Sequence, residues 1–239
     1  MNQQSETIFH NQHRFQDYIG EFVYGGIDGS VTTFAVVAGS VGANLDVSVI
    51  IILGFANLIA DGFSMSVGSY LSKRSEADNY EKHRRREEWE IENMPETEKE
   101  EIRQIYRQKG FDGEMLEQIV TVITADKARW IDTMMKDELE MVKETKSPLR
   151  MALVTYASFI GIGLIPLLAY VFKDILSLQQ NVLFVVSSVA TMFAFGVIGY
   201  FKTYVTQTTA WKGIAETMFL GGAAAALSYV VGNWLEKLF

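Results

Sequence analysis

The sequence predicts an all-α membrane protein: five transmembrane helices with a cytoplasmic helical insert between helices 2 and 3. Three observations predict it. All but 15 of the 50 charged side chains fall in one block, residues 73–146. Long apolar runs almost free of charge flank that block. Within the block, Pro95 and Gly110 punctuate a pattern of helical segments, and Pro148 follows it.

About 20 mostly apolar residues suffice to cross a bilayer as a helix. Five stretches qualify, roughly 20–41, 47–71, 151–172, 176–201 and 213–235. The last three hold one acid between them, Glu216, near a membrane end where its stem could snorkel to the interface. The hydrophobic fraction of 49% and mean hydropathy of +0.10 are unremarked averages over two unlike parts. The expected organisation is 1–72 for the N-terminal tail and helices 1–2, 73–148 for the cytoplasmic helical domain, and 149–239 for helices 3–5.

Orientation follows the excess of Lys and Arg in cytoplasmic loops. The block opens with Lys73, Arg74, Lys82, Arg84, Arg85 and Arg86, which sets it in the cytoplasm. Loop 42–46 has no basic residue and is expected outside; loop 173–179, with Lys173 alone, is also expected outside. Loop 202–212 carries Lys202 and Lys212 and falls inside, as does the tail with Arg14. Five spans then leave the C-terminus outside.

Inside the insert, the second span is expected to run on as one helix through 75–92, where Pro95 ends it. Thr97 with Glu100 fits a capping box for a second helix, which stops at Gly110 after Lys109. A third helix is expected at 112–122 and a fourth at 126–143.

Composition also excludes. With no Cys, disulfides and thiolate metal sites are out. His10, His13 and His83 are too few and scattered for a His-based site. A net charge of −8 argues against nucleic acid as a partner. The first 19 residues are polar, so no cleavable signal peptide is expected. The pattern points to no enzyme chemistry.

The few charges left at membrane depth carry the information. Intramembrane carboxylates are costly and face a bundle interior or a water-filled path. Asp28 sits between Gly25 and Gly29, a G-x-x-x-G pattern that allows close helix approach. Glu21, seven residues earlier, lies on the same face, nearer the cytoplasm. On the second span Asn57, Asp61 and Met65 fall at i, i+4 and i+8, one stripe offering an amide, a carboxylate and a thioether. The plain alternatives are a structural hydrogen bond between Asp28 and Thr32 or a neighbouring helix, and core packing for Met65.

In the insert, Glu87 and Glu90 are i, i+3 on one helix, and Glu98 and Glu101 on the next. Met134 and Met135 reach Glu138 at i+4 and i+3. Residues three or four apart face the same way. Carboxylates with thioether suit Mn²⁺ or Fe²⁺ better than Mg²⁺ or Ca²⁺. Such Glu pairs are also common on any charged helix, and the methionines could equally pack.

Several stretches together resemble the vacuolar iron transporter family, over nearly the whole chain from about Tyr18. They are Gly26-Ile27-Asp28-Gly29-Ser30 followed by Phe34-Ala35-Val36-Val37-Ala38-Gly39, then Ser64-Met65-Ser66-Val67-Gly68-Ser69-Tyr70-Leu71-Ser72. Ser75-Glu76-Ala77-Asp78 and Met134-Met135-Lys136-Asp137-Glu138-Leu139 complete the set. The resemblance implies five spans, a homodimer with the path at its interface, and a cytoplasmic metal-binding domain. It implies export of Fe²⁺ or Mn²⁺ from the cytosol in exchange for protons. It makes Asp28 the intramembrane aspartate, Met65 the pathway methionine, and Glu87, Glu90, Glu98, Glu101, Met134, Met135 and Glu138 the cytoplasmic ligands. One departure stands out: the family often places Glu where this chain has Asn57, and Asp61, one turn on, could supply the missing charge.

The expected function is thus a divalent metal transporter in a lipid bilayer, with metal ions and protons as partners. No permanently bound cofactor is expected, only transported Fe²⁺ or Mn²⁺ or another divalent transition metal. A prokaryotic plasma membrane is the expected location, since no targeting extension is seen. Two other readings stay open: a membrane-anchored iron-binding or storage module, and a passive divalent channel. Ferritin-like storage sites use Glu-x-x-His on paired helices, and three residues before His83 stands Tyr80.

Overall fold

The computed structural model describes residues 18–176 and 178–238. The tail with His10, His13 and Arg14 lies outside the described residues, so the inside placement read from Arg14 has no structural counterpart. Among the described residues every regular element is helical. The chain divides into two compact units, Met1–Tyr70 with Lys146–Phe239, and Leu71–Thr145.

In the first unit α1 (Ile19–Gly42) is the central helix, packed against helices from the C-terminal half. Its glycines explain why. A Cβ on Gly25 would strike the Thr155 carbonyl, and one on Gly29 the Phe159 carbonyl, both on α6 (Pro148–Gly163). The G-x-x-x-G pattern is therefore spent on contact within the chain, backbone against backbone. Ser158 adds a hydroxyl donated to the Phe22 carbonyl. At the other end Gly42 lies against Tyr229, and Gly232 against Gly39, joining α1 to α10 (Ala210–Glu236). α9 (Gln180–Thr206) packs against both, and its Phe195 meets Phe34 edge-on at 6.3 Å.

The second span belongs to α2, one helix of 47 residues, Val47–Asn93, as expected. Leu58 (1% exposed) and Ile50 reach a core with Phe159, Leu167 and Tyr170. Much of the rest of the span is open, including Ile52, Ile59, Phe63 and Val67.

The third span is not one straight helix. α6 gives way to α7 (Ile165–Val171) with a 44° bend. Pro166 is the cause: it has no N–H to give and its ring crowds the preceding turn. A four-residue turn, α8 (Lys173–Leu176), follows. Among the described residues, four helices are long and apolar enough to cross a membrane, or five if the bent pair counts as one span.

The second unit holds the remainder of α2, then α3 (Pro95–Gln108), α4 (Gly113–Thr124), α5 (Lys127–Thr133) and a π turn, Met134–Glu138. Ile91, Ile102, Leu116, Val120, Trp130, Met134 and Met135 make its core. Two expectations fail here. The second insert helix starts at Pro95, not after a Thr97 cap: Pro fits the first helical position, where its missing N–H would be unpaired anyway. The last helix does not run to 143. Asp126 caps it, accepting from the Arg129 amide at 2.7 Å, but α geometry ends at Thr133. Leu139 N–H donates to Met134 O at 3.2 Å and Met141 N–H to Met135 O at 2.8 Å, so the chain widens and Glu140 turns left-handed at φ 53°.

Candidate functional site

Acids collect in two places, one in each unit. In the second unit, local spacing aims them inward. Glu87 lies one turn before the core residue Ile91 on α2, and Glu98 one turn before Ile102 on α3. Burying each isoleucine turns the acid's face inward too, and both glutamates are 3% exposed. Glu138 joins them from the π turn. One carboxylate oxygen from each of the three lies within 4.8 Å of the others.

The electrostatics are unfavourable as they stand. Glu87 Oε2 and Glu98 Oε2 are buried with no hydrogen-bond partner among the described residues. Burial, then the charges of Glu138 and Glu90, push Glu87 up to about 7. Burial, then Glu101 and Glu87, push Glu98 up to about 7. Burial, then Glu101 and Glu90, raise Glu138. Glu90 and Glu101 thus act on the three as neighbours. Arg86 pairs with Glu90 at 2.9 Å on the open side and is the nearest relief. Glu138 itself is an exposed residue, so it closes the cluster from the solvent side; the two buried acids, Glu87 and Glu98, are best stabilised by a proton or by a cation among them. Hard carboxylate oxygens in this number suit a divalent ion.

Met134 and Met135 are fully buried in the core of this unit, on the same turn as Glu138. The signal for an inward acid was in the sequence, an acid four residues before a core isoleucine, although the expected pairing was Glu with Glu. Neighbouring Asp137 goes elsewhere, to Lys109.

In the membrane unit, Thr32 donates at 2.8 Å to the main-chain carbonyl of Asp28, not to its carboxylate, so Thr32 is not the structural partner of that side chain. Asp28 is half-buried on α1, and Asp61 on α2 is close enough for the two charges to interact. Asp61 itself is exposed on this chain's surface. Asn57 is half-buried, with an amide nitrogen that is buried and unpartnered. Met65 is half-buried against the Phe159 and Leu58 core. Glu21 has one buried, unpartnered oxygen. Glu216 does not stand alone: Lys202 on α9 pairs with it at 2.8 Å.

Comparison with known proteins agrees over nearly the whole length. Residues 19–233 match the model of the VIT family. A vacuolar iron transporter of Toxoplasma gondii is 34% identical over 226 residues, 92% of this chain and 75% of that protein. One from Centaurea cyanus is 34% identical over 223 residues, covering 92% and 89%. Vacuolar iron transporter 1 of Arabidopsis thaliana is 32% identical over 221 residues, covering 92% and 87%. With its apolar spans and this match, the chain is a multi-pass membrane protein that belongs to the VIT family, the vacuolar iron transporters.

Proposed function

We propose that this protein moves Fe²⁺, Mn²⁺ or both out of the cytosol in exchange for protons. One observation carries the reading beyond family membership: three carboxylates from separate segments meet within 4.8 Å, with two buried oxygens unpartnered. A soluble unit gains nothing from such repulsion unless a cation answers it.

In this mechanism the second unit faces the cytoplasm and gathers metal on Glu87, Glu98 and Glu138, with Glu90 and Glu101 adding field and Met134 and Met135 soft donors. The ion then passes by Glu21 to Asp28, where Met65, Asn57 and Asp61 complete a dehydrated site. As an anion Asp28 binds metal; protonated from the far side, it releases it. Asp61 supports a second element of the proposal. A carboxylate at membrane depth does not face lipid tails, so its exposure on one chain favours a homodimer with the path between copies. The relatives named above are vacuolar and eukaryotic, and lend no support to a prokaryotic plasma membrane. Only an integral membrane location is carried forward.

The test is metal uptake into proteoliposomes under an imposed pH gradient, with Fe²⁺ kept reduced and with Mn²⁺. The parent takes up metal only with the gradient, and Asp28→Ala abolishes uptake while the second unit still binds metal. Gradient-independent flux would make the protein a passive channel. One observation favours a second reading, an anchored metal-holding module: the acid cluster lies wholly within the second unit. No flux from a parent protein that binds metal would establish that reading instead.

A further inference from the structure

Asp137 and Glu138 are adjacent acids; helical spacing from Met134 and Met135 picks out Glu138 but says nothing of what becomes of Asp137. The structure separates them. Asp137 is largely buried, with its side chain 18% exposed, and its Oδ2 accepts from Lys109 Nζ at 2.7 Å and from the Tyr106 hydroxyl at 3.3 Å. The Lys109 ammonium also lies over the Tyr106 ring, 4.7 Å from its centre. All three therefore touch one another. Burial, then the Asp137 charge, hold the Tyr106 hydroxyl above its ordinary value, so it stays a protonated donor.

The clamp sits where the backbone most needs an anchor. Asp137 is inside the π turn, and Glu140, two residues past its end, is left-handed without being glycine. Conformations of this kind persist only where surroundings fix them. Tyr106 lies in the last turn of α3 and Lys109 caps it; the same helix carries Glu98 in its first turn and Glu101 near its middle. One rigid helix thus offers the cluster Glu98 at one end and grips the turn bearing Glu138 at the other.

We propose that Lys109 and Tyr106 are positioning residues for the acid cluster: by holding Asp137 they keep it out of the cluster and aim Glu138 into it. This rests on the second unit binding metal, as proposed above. The ion pair does two jobs, fixing the turn and neutralising an acid that would otherwise add charge beside three that already repel. Partners of ligands at this remove typically govern metal affinity by about 10- to 100-fold.

The experiment uses the full-length protein in detergent with Mn²⁺ as probe, its binding and bound-state spectrum read by electron paramagnetic resonance. Lys109→Met and Asp137→Asn each weaken binding about 10- to 100-fold and change the bound spectrum. Together they do no worse than either alone, because they break one interaction. Tyr106→Phe has a smaller effect in the same direction, and Lys109→Arg restores affinity. The control is Arg103→Ala on the same helix, which breaks an exposed pair with Glu117 at 2.9 Å and leaves binding at the parent value. Parent-like binding in both Lys109→Met and Asp137→Asn overturns the proposal. So does a loss confined to Asp137→Asn, which would make Asp137 a ligand itself. Failure of the underlying site looks different: the parent and Glu98→Gln then bind Mn²⁺ equally, whatever Lys109 is.

Discussion

The two gatherings of acids in this chain are built on opposite plans. In the second unit, carboxylates from α2, α3 and the π turn close on one another inside a single chain, with Glu87 and Glu98 each 3% exposed. In the membrane unit, Asp28 is half-buried on the tightly packed first span, while Asp61 stands open on the loosely packed second. The first arrangement is drawn together within one copy, whereas in the second Asp61 stays exposed, and the dimer proposed above supplies its missing wall. On the dimer proposed above, the difference teaches that the cluster in the second unit can be tested on one chain, whereas the one around Asp28 and Asp61 must be tested on the assembled protein.

The sharpest way to break this comparison is a cross-link. The chain has no Cys, so Ala60→Cys, exposed next to Asp61, reports on a second copy directly. Oxidation in membranes should yield nearly complete disulfide dimer, and Leu58→Cys, 1% exposed, should yield none. A monomer from Ala60→Cys removes the proposed wall.

Next in size is the pH dependence of the closed cluster. Glu87 and Glu98 hold protons to about 7 in the fold, against an ordinary value of 4.5. Between those values the folded state binds more protons than the unfolded chain, so metal-free stability falls as pH rises through this window and levels off above it. Metal reverses the trend: below about pH 7, affinity should drop about tenfold per pH unit for each proton displaced. Melting curves with and without Mn²⁺ between pH 5 and 8 check both signs. A metal-free protein that becomes more stable over that rise would contradict the cluster's burial.

Packing of the first span comes third. A Cβ at Gly29 meets the backbone of Phe159, which cannot move aside, so Gly29→Ala should cost about 1–3 kcal/mol. Gly68 on α2 has nothing near it, and Gly68→Ala should instead stabilise by up to about 1 kcal/mol through helix propensity. Thermal denaturation in detergent compares the two. The smallest expected effect is Asp61→Asn, a loss of several-fold in transport, on the order of 1 kcal/mol. Uptake equal to the parent would show that Asp61 does not replace the charge absent at Asn57.

Much of this was legible from residues alone. Charge segregation and apolar length marked the helical membrane class, because desolvating charge is costly wherever it occurs in a chain. The 47-residue helix followed from an unbroken pattern ending before Pro95. Glu87, Glu98 and Glu138 were each singled out as candidate ligands, by helical pairs such as Glu87 with Glu90 and by the family resemblance, but only the fold brings these three segments together. What the sequence left open concerns backbone choices that depend on distant neighbours. The Pro166 bend hid inside a uniformly apolar run. The π turn reads as ordinary helix until Lys109 and Tyr106 are seen holding Asp137. The glycine pattern at Gly25 and Gly29 announced close approach, but only the fold named Thr155 and Phe159 as what it approaches. Local spacing is set by covalent geometry, so sequence determines it. Which acid meets which, and which face stays open, is decided by contacts between residues far apart in the chain, and only tertiary structure supplies those.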